Sequence, residues 1–154
     1  MDFSVNGLPL HPLLVHSVIA LVPLTAIAVV LHVLWPAARR RLGVVTPLLG
    51  LALMVATPVT VLAGRDLREQ VGPIPAVDRH AALGEAMIFW ALGLLAASVL
   101  AYAWFRWRDR LRLSRTAALV LTAGIGVVSI GISIGGLAML VVVGDSGARA
   151  VWGT

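Results

Sequence analysis

The chain has 154 residues, of which 60% are apolar and only 12% charged, against roughly one-quarter charged in a soluble domain. With no cysteine, disulfides, thiolate metal sites, iron–sulfur clusters and covalently attached c-type haem are excluded. The formal charge of +5 comes from arginine without any lysine, and the placement of those arginines points to a bilayer rather than to nucleic acid.

Residues 1–10 carry Asp2 and no basic side chain. They lack the positive stretch that opens a signal peptide, so the first apolar run is expected to stay in the protein. Four apolar runs follow, at 11–35, 44–63, 81–105 and 117–143. Each reaches the roughly 20 residues that cross about 30 Å of hydrocarbon at about 1.5 Å per residue. The connections are short, so consecutive helices should be antiparallel neighbours. The expected fold is all-α: a four-helix transmembrane bundle, up-down-up-down, with residues 1–154 forming a single integral membrane domain whose first partner is the lipid bilayer.

Arg39, Arg40 and Arg41 fall in the first connection, and Arg106, Arg108, Arg110, Arg112 and Arg115 in the third. Cytoplasmic loops are rich in Lys and Arg, so that side is assigned to the cytoplasm and both termini to the extracytoplasmic side. The charges expected outside are offset in part by Asp2, Asp66, Glu69, Asp78 and Asp145. Trp35, Trp104 and Trp107 are expected at the inner boundary as an aromatic belt.

Pro12 and Pro47 occupy early helical positions, where a missing N–H costs little. Pro23 and Pro58 lie inside helices and free the carbonyls of Ile19 and Met54, for which Thr25, Thr57 and Thr60 are nearby partners. In the fourth run Gly131 and Gly135 form a GxxxG pair, suited to close packing within the bundle or to a homodimer contact.

A faint repeat joins the two halves. His11 and His16 open the first helix, while His80 and Glu85 open the third, each displaced by the same 69 residues. Helices one and three run in the same direction, so these groups fall in two layers, His11 with His80 and His16 with Glu85. Ionisable groups inside a bilayer are costly and mark functional sites.

Three readings follow. In the first, His16 and His80 are axial ligands of haem b, with His11 and Glu85 as supporting or proton-handling groups. In the second, His16, His80 and Glu85 bind a divalent metal. In the third the groups are structural, with Glu85 paired to Arg65 or Arg149. His11 and His16, five residues apart, face directions about 140° apart on the helix, so a second helix must contribute to any site. His32, sixteen residues beyond His16, is too far away to share it and is assigned an interfacial or packing role. There is no phosphate loop, nucleophile elbow or His-Glu-x-x-His helix, so no independent enzymatic activity is expected.

The opening Gly7-Leu8-Pro9-Leu10-His11-Pro12-Leu13-Leu14-Val15-His16, the pair Thr57-Pro58 ahead of Leu62-Ala63-Gly64, His80 and the tail Gly144-Asp145-Ser146-Gly147-Ala148-Arg149-Ala150-Val151-Trp152 resemble the bacterial predicted-membrane-protein family known as domain of unknown function 2231. The resemblance covers nearly the whole chain and implies a small four-helix protein of the bacterial cytoplasmic (inner) membrane. It also implies a link to b-type cytochromes through helix-borne histidines. The family tail often reads Gly-His-Ser-Gly-Ala, so Asp145 is a departure that favours a metal or proton site over haem, or weakens the idea of a tail ligand. The function expected is a membrane redox subunit with haem b near the extracytoplasmic face and a redox or membrane-complex partner. A cofactor-free structural or assembly subunit is the alternative.

Overall fold

The computed structural model describes residues 4–5 and 8–153. Asp2 and Gly7, used above for charge balance and for the opening motif, lie outside the described residues. A two-residue antiparallel ladder, β1 (Ser4–Val5) with β2 (Leu8–Pro9), precedes the helices. The rest is helical: α1 (Leu10–Leu34), α2 (Pro36–Leu42), α3 (Val45–Val71), α4 (Pro75–Trp107), a 3₁₀ turn at Arg108–Arg110 and α5 (Arg115–Trp152). Four of these, α1, α3, α4 and α5, are long and apolar enough to cross a membrane.

The breaks between helices have local causes. Pro36 confines Trp35 to extended backbone at φ −121° and then serves as the first residue of α2. The carbonyls thereby orphaned at the end of α1 are not left bare. Arg39 reaches back from α2, with Nε donating to His32 O at 2.6 Å and Nη2 to Val33 O at 2.9 Å. Gly43, at φ +44°, and Gly72, at φ +85°, end α2 and α3 in backbone conformations that only glycine adopts freely.

The segment 65–80, which joins the second and third apolar runs, is mostly helix. α3 continues to Val71 and α4 begins at Pro75. Hydropathy marks where a helix leaves the hydrocarbon, whereas Arg65-Asp66-Leu67-Arg68-Glu69-Gln70 is a run of acceptable to good helix formers that simply continues into water. α5 likewise runs on to Trp152 through the expected tail.

α1 and α4 stand diagonally across the bundle, each flanked by α3 and α5. The core is the cluster of Val18, Val22, Ala26, Leu53, Met87, Ala91 and Leu94. Burial repeats along the chain far more clearly than sequence does. In α4, Met87, Ala91, Leu94, Ala97, Ser98 and Ala101 are buried. They stand the same 69 residues after Val18, Val22, Thr25, Ala28, Val29 and His32, all buried in α1. In α5, buried Ser129, Ser133, Gly136 and Ser146 keep one constant offset from buried Thr46, Gly50, Leu53 and Ala63 of α3. The bundle is therefore two equivalent helical hairpins, α1 with α3 and α4 with α5, related by a pseudo-two-fold axis along the bundle.

Two local expectations are corrected. Trp104 is turned inward, only 8% exposed, and donates to Thr122 Oγ1 at 3.0 Å, so of the expected belt only Trp35 and Trp107 lie outward. Thr57 and Thr60 donate to Leu53 O and Ala56 O, each four residues back, rather than to the carbonyl freed by Pro58, while Thr25 Oγ1 is buried without a partner. Gly135 is covered by the Trp90 ring of its own chain. Of the GxxxG pair, only Gly131 faces open space.

Candidate functional site

Diagonal placement of α1 and α4 brings the first turn of one to the first turns of the other at the end of the bundle. There His11 of α1 and His80 of α4 meet, with ring centroids 6.1 Å apart and ring planes at 76°. Both are half-buried. Each ring is held by the following helix of its own hairpin. His11 Nδ1 lies 3.0 Å from Thr60 O of α3, and His80 Nδ1 lies 3.0 Å from Ser146 Oγ of α5.

These contacts fix the tautomers. A carbonyl oxygen only accepts, so His11 Nδ1 carries the proton. Ser146 gives its one hydroxyl proton to Val143 O at 2.7 Å, so its oxygen accepts from His80 Nδ1. In both neutral rings the lone pair is left on Nε2. An Nδ1–H held by an oxygen while Nε2 keeps its lone pair is the arrangement found behind metal-ligating histidines.

Two glycines make room for the rings. A Cβ on Gly64 would come 2.9 Å from His11 Cε1, and a Cβ on Gly147 would come 3.0 Å from His80 Cε1. Thr60 stands four residues before Gly64, as Val143 does before Gly147. Both halves thus seat the imidazole against a glycine of the next helix, but the anchor differs: the Thr60 carbonyl holds His11, whereas the Ser146 hydroxyl, itself bonded to the Val143 carbonyl, holds His80.

The other expected site residues are placed elsewhere. His16 is exposed and bonds within its own helix, Nδ1 donating to Pro12 O at 2.6 Å. Glu85 lies on the surface in an ion pair with Arg65, whose Nε and Nη2 both approach Oε1 at 2.9 Å. This is the pairing that the structural reading expected. Arg68 pairs with Asp78 at 2.7 Å, and Arg149 with Asp145 at 2.8 Å, so Asp145 faces outward and Ser146 beside it faces the histidines. Among the described residues no three His, Asp or Glu side chains gather as a metal-ligand group, and the set His16, His80 and Glu85 is not assembled. The pair that meets is His11 with His80, which depth placed in one layer, rather than the expected ligand pair His16 with His80. The signal for it was the 69-residue repeat, read as an equivalence of positions.

His32 sits at the opposite end, 1% exposed, with Nδ1 3.0 Å from Thr46 Oγ1. Its ring packs against Tyr102 at 6.3 Å and Phe105 at 6.1 Å between centroids.

The helix-borne histidines, the glycine seats and the four spans are now joined by one comparison: the sequence profile of the predicted membrane protein family DUF2231 matches residues 7–154. The chain belongs to this family. No curated protein and no solved structure matches it. The match covers all four spans, so the histidine pair and both glycine seats of this DUF2231 protein lie inside it.

Proposed function

We propose that this DUF2231 protein is a small redox subunit of the bacterial cytoplasmic membrane that holds haem b through His11 and His80 at the extracytoplasmic end of the bundle. One observation carries the reading: two imidazoles from diagonal helices, each with its Nδ1–H committed to the next helix and its Nε2 lone pair left over. His11 and His80 would be the residues to hold the iron, each through Nε2, because their Nδ1–H groups are already bonded to the next helix. A haem iron held there would supply one-electron transfer. Thr60 and Ser146 would orient the ligands and raise their basicity. The exposed ion pairs of Arg65 with Glu85 and Arg68 with Asp78 would present a polar face to a redox partner. The sidedness is supported by the arginines gathered at the other end, since cytoplasmic loops are rich in Lys and Arg.

The second reading, a structural or assembly subunit without cofactor, is supported by the same hydrogen bonds, since each histidine already ties its own helix to the next. The two are separated by the optical spectrum of the detergent-purified protein, air-oxidised and dithionite-reduced, with metal analysis of the same sample. Haem b is expected to give a Soret band that shifts on reduction and is lost in His80→Ala. A featureless spectrum without stoichiometric metal, from haem-replete cells, would leave the structural reading alone.

A further inference from the structure

At the end of the bundle remote from the histidine pair, the 3₁₀ turn Arg108–Arg110 and the start of α5 border an open cavity of about 460 Å³. Arg108, Arg112 and Arg115 line it with a single carboxylate, Asp109, so the wall carries an excess of positive charge. Asp109 meets Arg108 only loosely, at 3.7 Å, and is itself 93% exposed. Among the described residues Arg112 and Arg115 have no hydrogen-bond or ion-pair partner. Leu113 and Leu119 supply an apolar flank. Thr122 also lines the cavity, but its hydroxyl is already used, accepting from Trp104 Nε1 and donating to Ala118 O. The guanidinium groups are therefore the donors left for a ligand.

The backbone brings them together. Arg112 has φ +46°, a left-handed conformation that side-chain-bearing residues visit rarely. That turn redirects the chain from the 3₁₀ segment to the Ser114 cap of α5, so that three cations surround one hollow at the boundary between apolar helix and water. Planar guanidinium groups match phosphate oxygens in pairs, and a basic pocket beside apolar side chains at a membrane surface suits a phospholipid whose headgroup is anionic.

We propose that this cavity binds the phosphate headgroup of an anionic membrane phospholipid, with its acyl chains lying along Leu113 and Leu119. The test is native mass spectrometry of the detergent-purified full chain titrated with tetraoleoyl cardiolipin and, separately, dioleoylphosphatidylcholine. Cardiolipin is expected to bind more tightly. The double substitution Arg112→Gln with Arg115→Gln should weaken it by at least about tenfold, since each basic residue near a lipid surface contributes roughly fivefold. Arg40→Gln with Arg41→Gln, which removes the same charge from exposed positions of α2 outside the cavity, should change it less than about twofold. Equal losses in the two double variants, or equal affinity for both lipids, would overturn the proposal by reducing the effect to general surface charge. Displacement of cardiolipin by millimolar inorganic phosphate would overturn it too, by making the soluble anion the ligand.

Discussion

The two ends of the bundle use the same residue type in opposite ways. At one end His11 and His80 are seated on glycines and keep their Nε2 lone pairs. At the other, His32 is caged. Thr46 takes its Nδ1, Tyr102 and Phe105 pack on its ring, and the Arg39 guanidinium lies 3.2 Å over the Phe105 ring while bonding to the His32 carbonyl. The repeat explains the contrast. The counterpart of His11 in the second hairpin is a histidine, whereas the counterpart of His32 is Ala101. A two-histidine site therefore forms at one end only, and the other end is built for packing and for holding positive charge.

The largest expected effect separates the ends by function. If His11 and His80 hold haem as proposed, His80→Ala should lower bound haem by at least about tenfold, through loss of one of its two ligands. His32→Ala should leave haem content unchanged and lower stability by about 2 kcal/mol through the cavity it creates and the hydroxyl it strands. Haem content by pyridine hemochrome assay and thermal unfolding in detergent read the two outcomes. If His32→Ala empties the protein of haem, the functional contrast between the ends is lost.

Next in size is the staple at the arginine end. Arg39→Ala removes two charged hydrogen bonds to the last carbonyls of α1 and a cation–π contact, and should cost about 2–3 kcal/mol in unfolding. Burial, and then the charge of Arg108, push the Arg39 guanidinium below its ordinary pKa, yet an arginine side chain stays cationic near neutrality. Arg39→Lys should recover less than half of the loss, because a single ammonium cannot span both carbonyls and stack on Phe105 as a planar fork does.

A smaller effect probes the glycine seats. Gly147→Ala places a methyl group against the His80 ring, so it should cost about 1 kcal/mol and loosen the bond to Ser146. The same substitution at Gly131, where nothing lies within 4 Å, should be neutral or slightly stabilising through helix propensity. Equal behaviour at the two sites in a thermal-unfolding series would deny that Gly147 seats an imidazole. The smallest effect belongs to the surface: Arg65→Ala breaks an ion pair whose side chains are about half exposed and should shift stability by no more than about 0.5 kcal/mol.

The four spans, their helical breaks and the gathering of arginines at one end were all legible, because hydropathy and proline act locally. The extension of α3 and α4 through 65–80 was not, since helix propensity outlasts the apolar window. Depth along the helix was legible for His11, His16, His80 and Glu85, but rotation about it was not. Nothing in a nearly uniformly apolar helix tells which side faces its neighbours, and so His11 rather than His16 turns toward α4. The glycines were visible only as glycines. That Gly64 and Gly147 receive imidazoles while Gly131 faces open space depends on which helices are adjacent, a property of the whole bundle.

The central claim is that His11 and His80 are held through Nδ1–H with their Nε2 lone pairs left for a ligand. The most direct test is ¹⁵N NMR of the detergent-solubilised protein labelled at its histidine side chains, cofactor-free and above neutral pH, with His11→Ala and His80→Ala used to assign the signals. The account predicts that both residues show a protonated Nδ1 and an unprotonated Nε2, the minority tautomer of free imidazole side chains. Protons on Nε2 at both positions would contradict it, because the bonds to Thr60 and Ser146 would then be absent and the lone pairs would be on the wrong nitrogens.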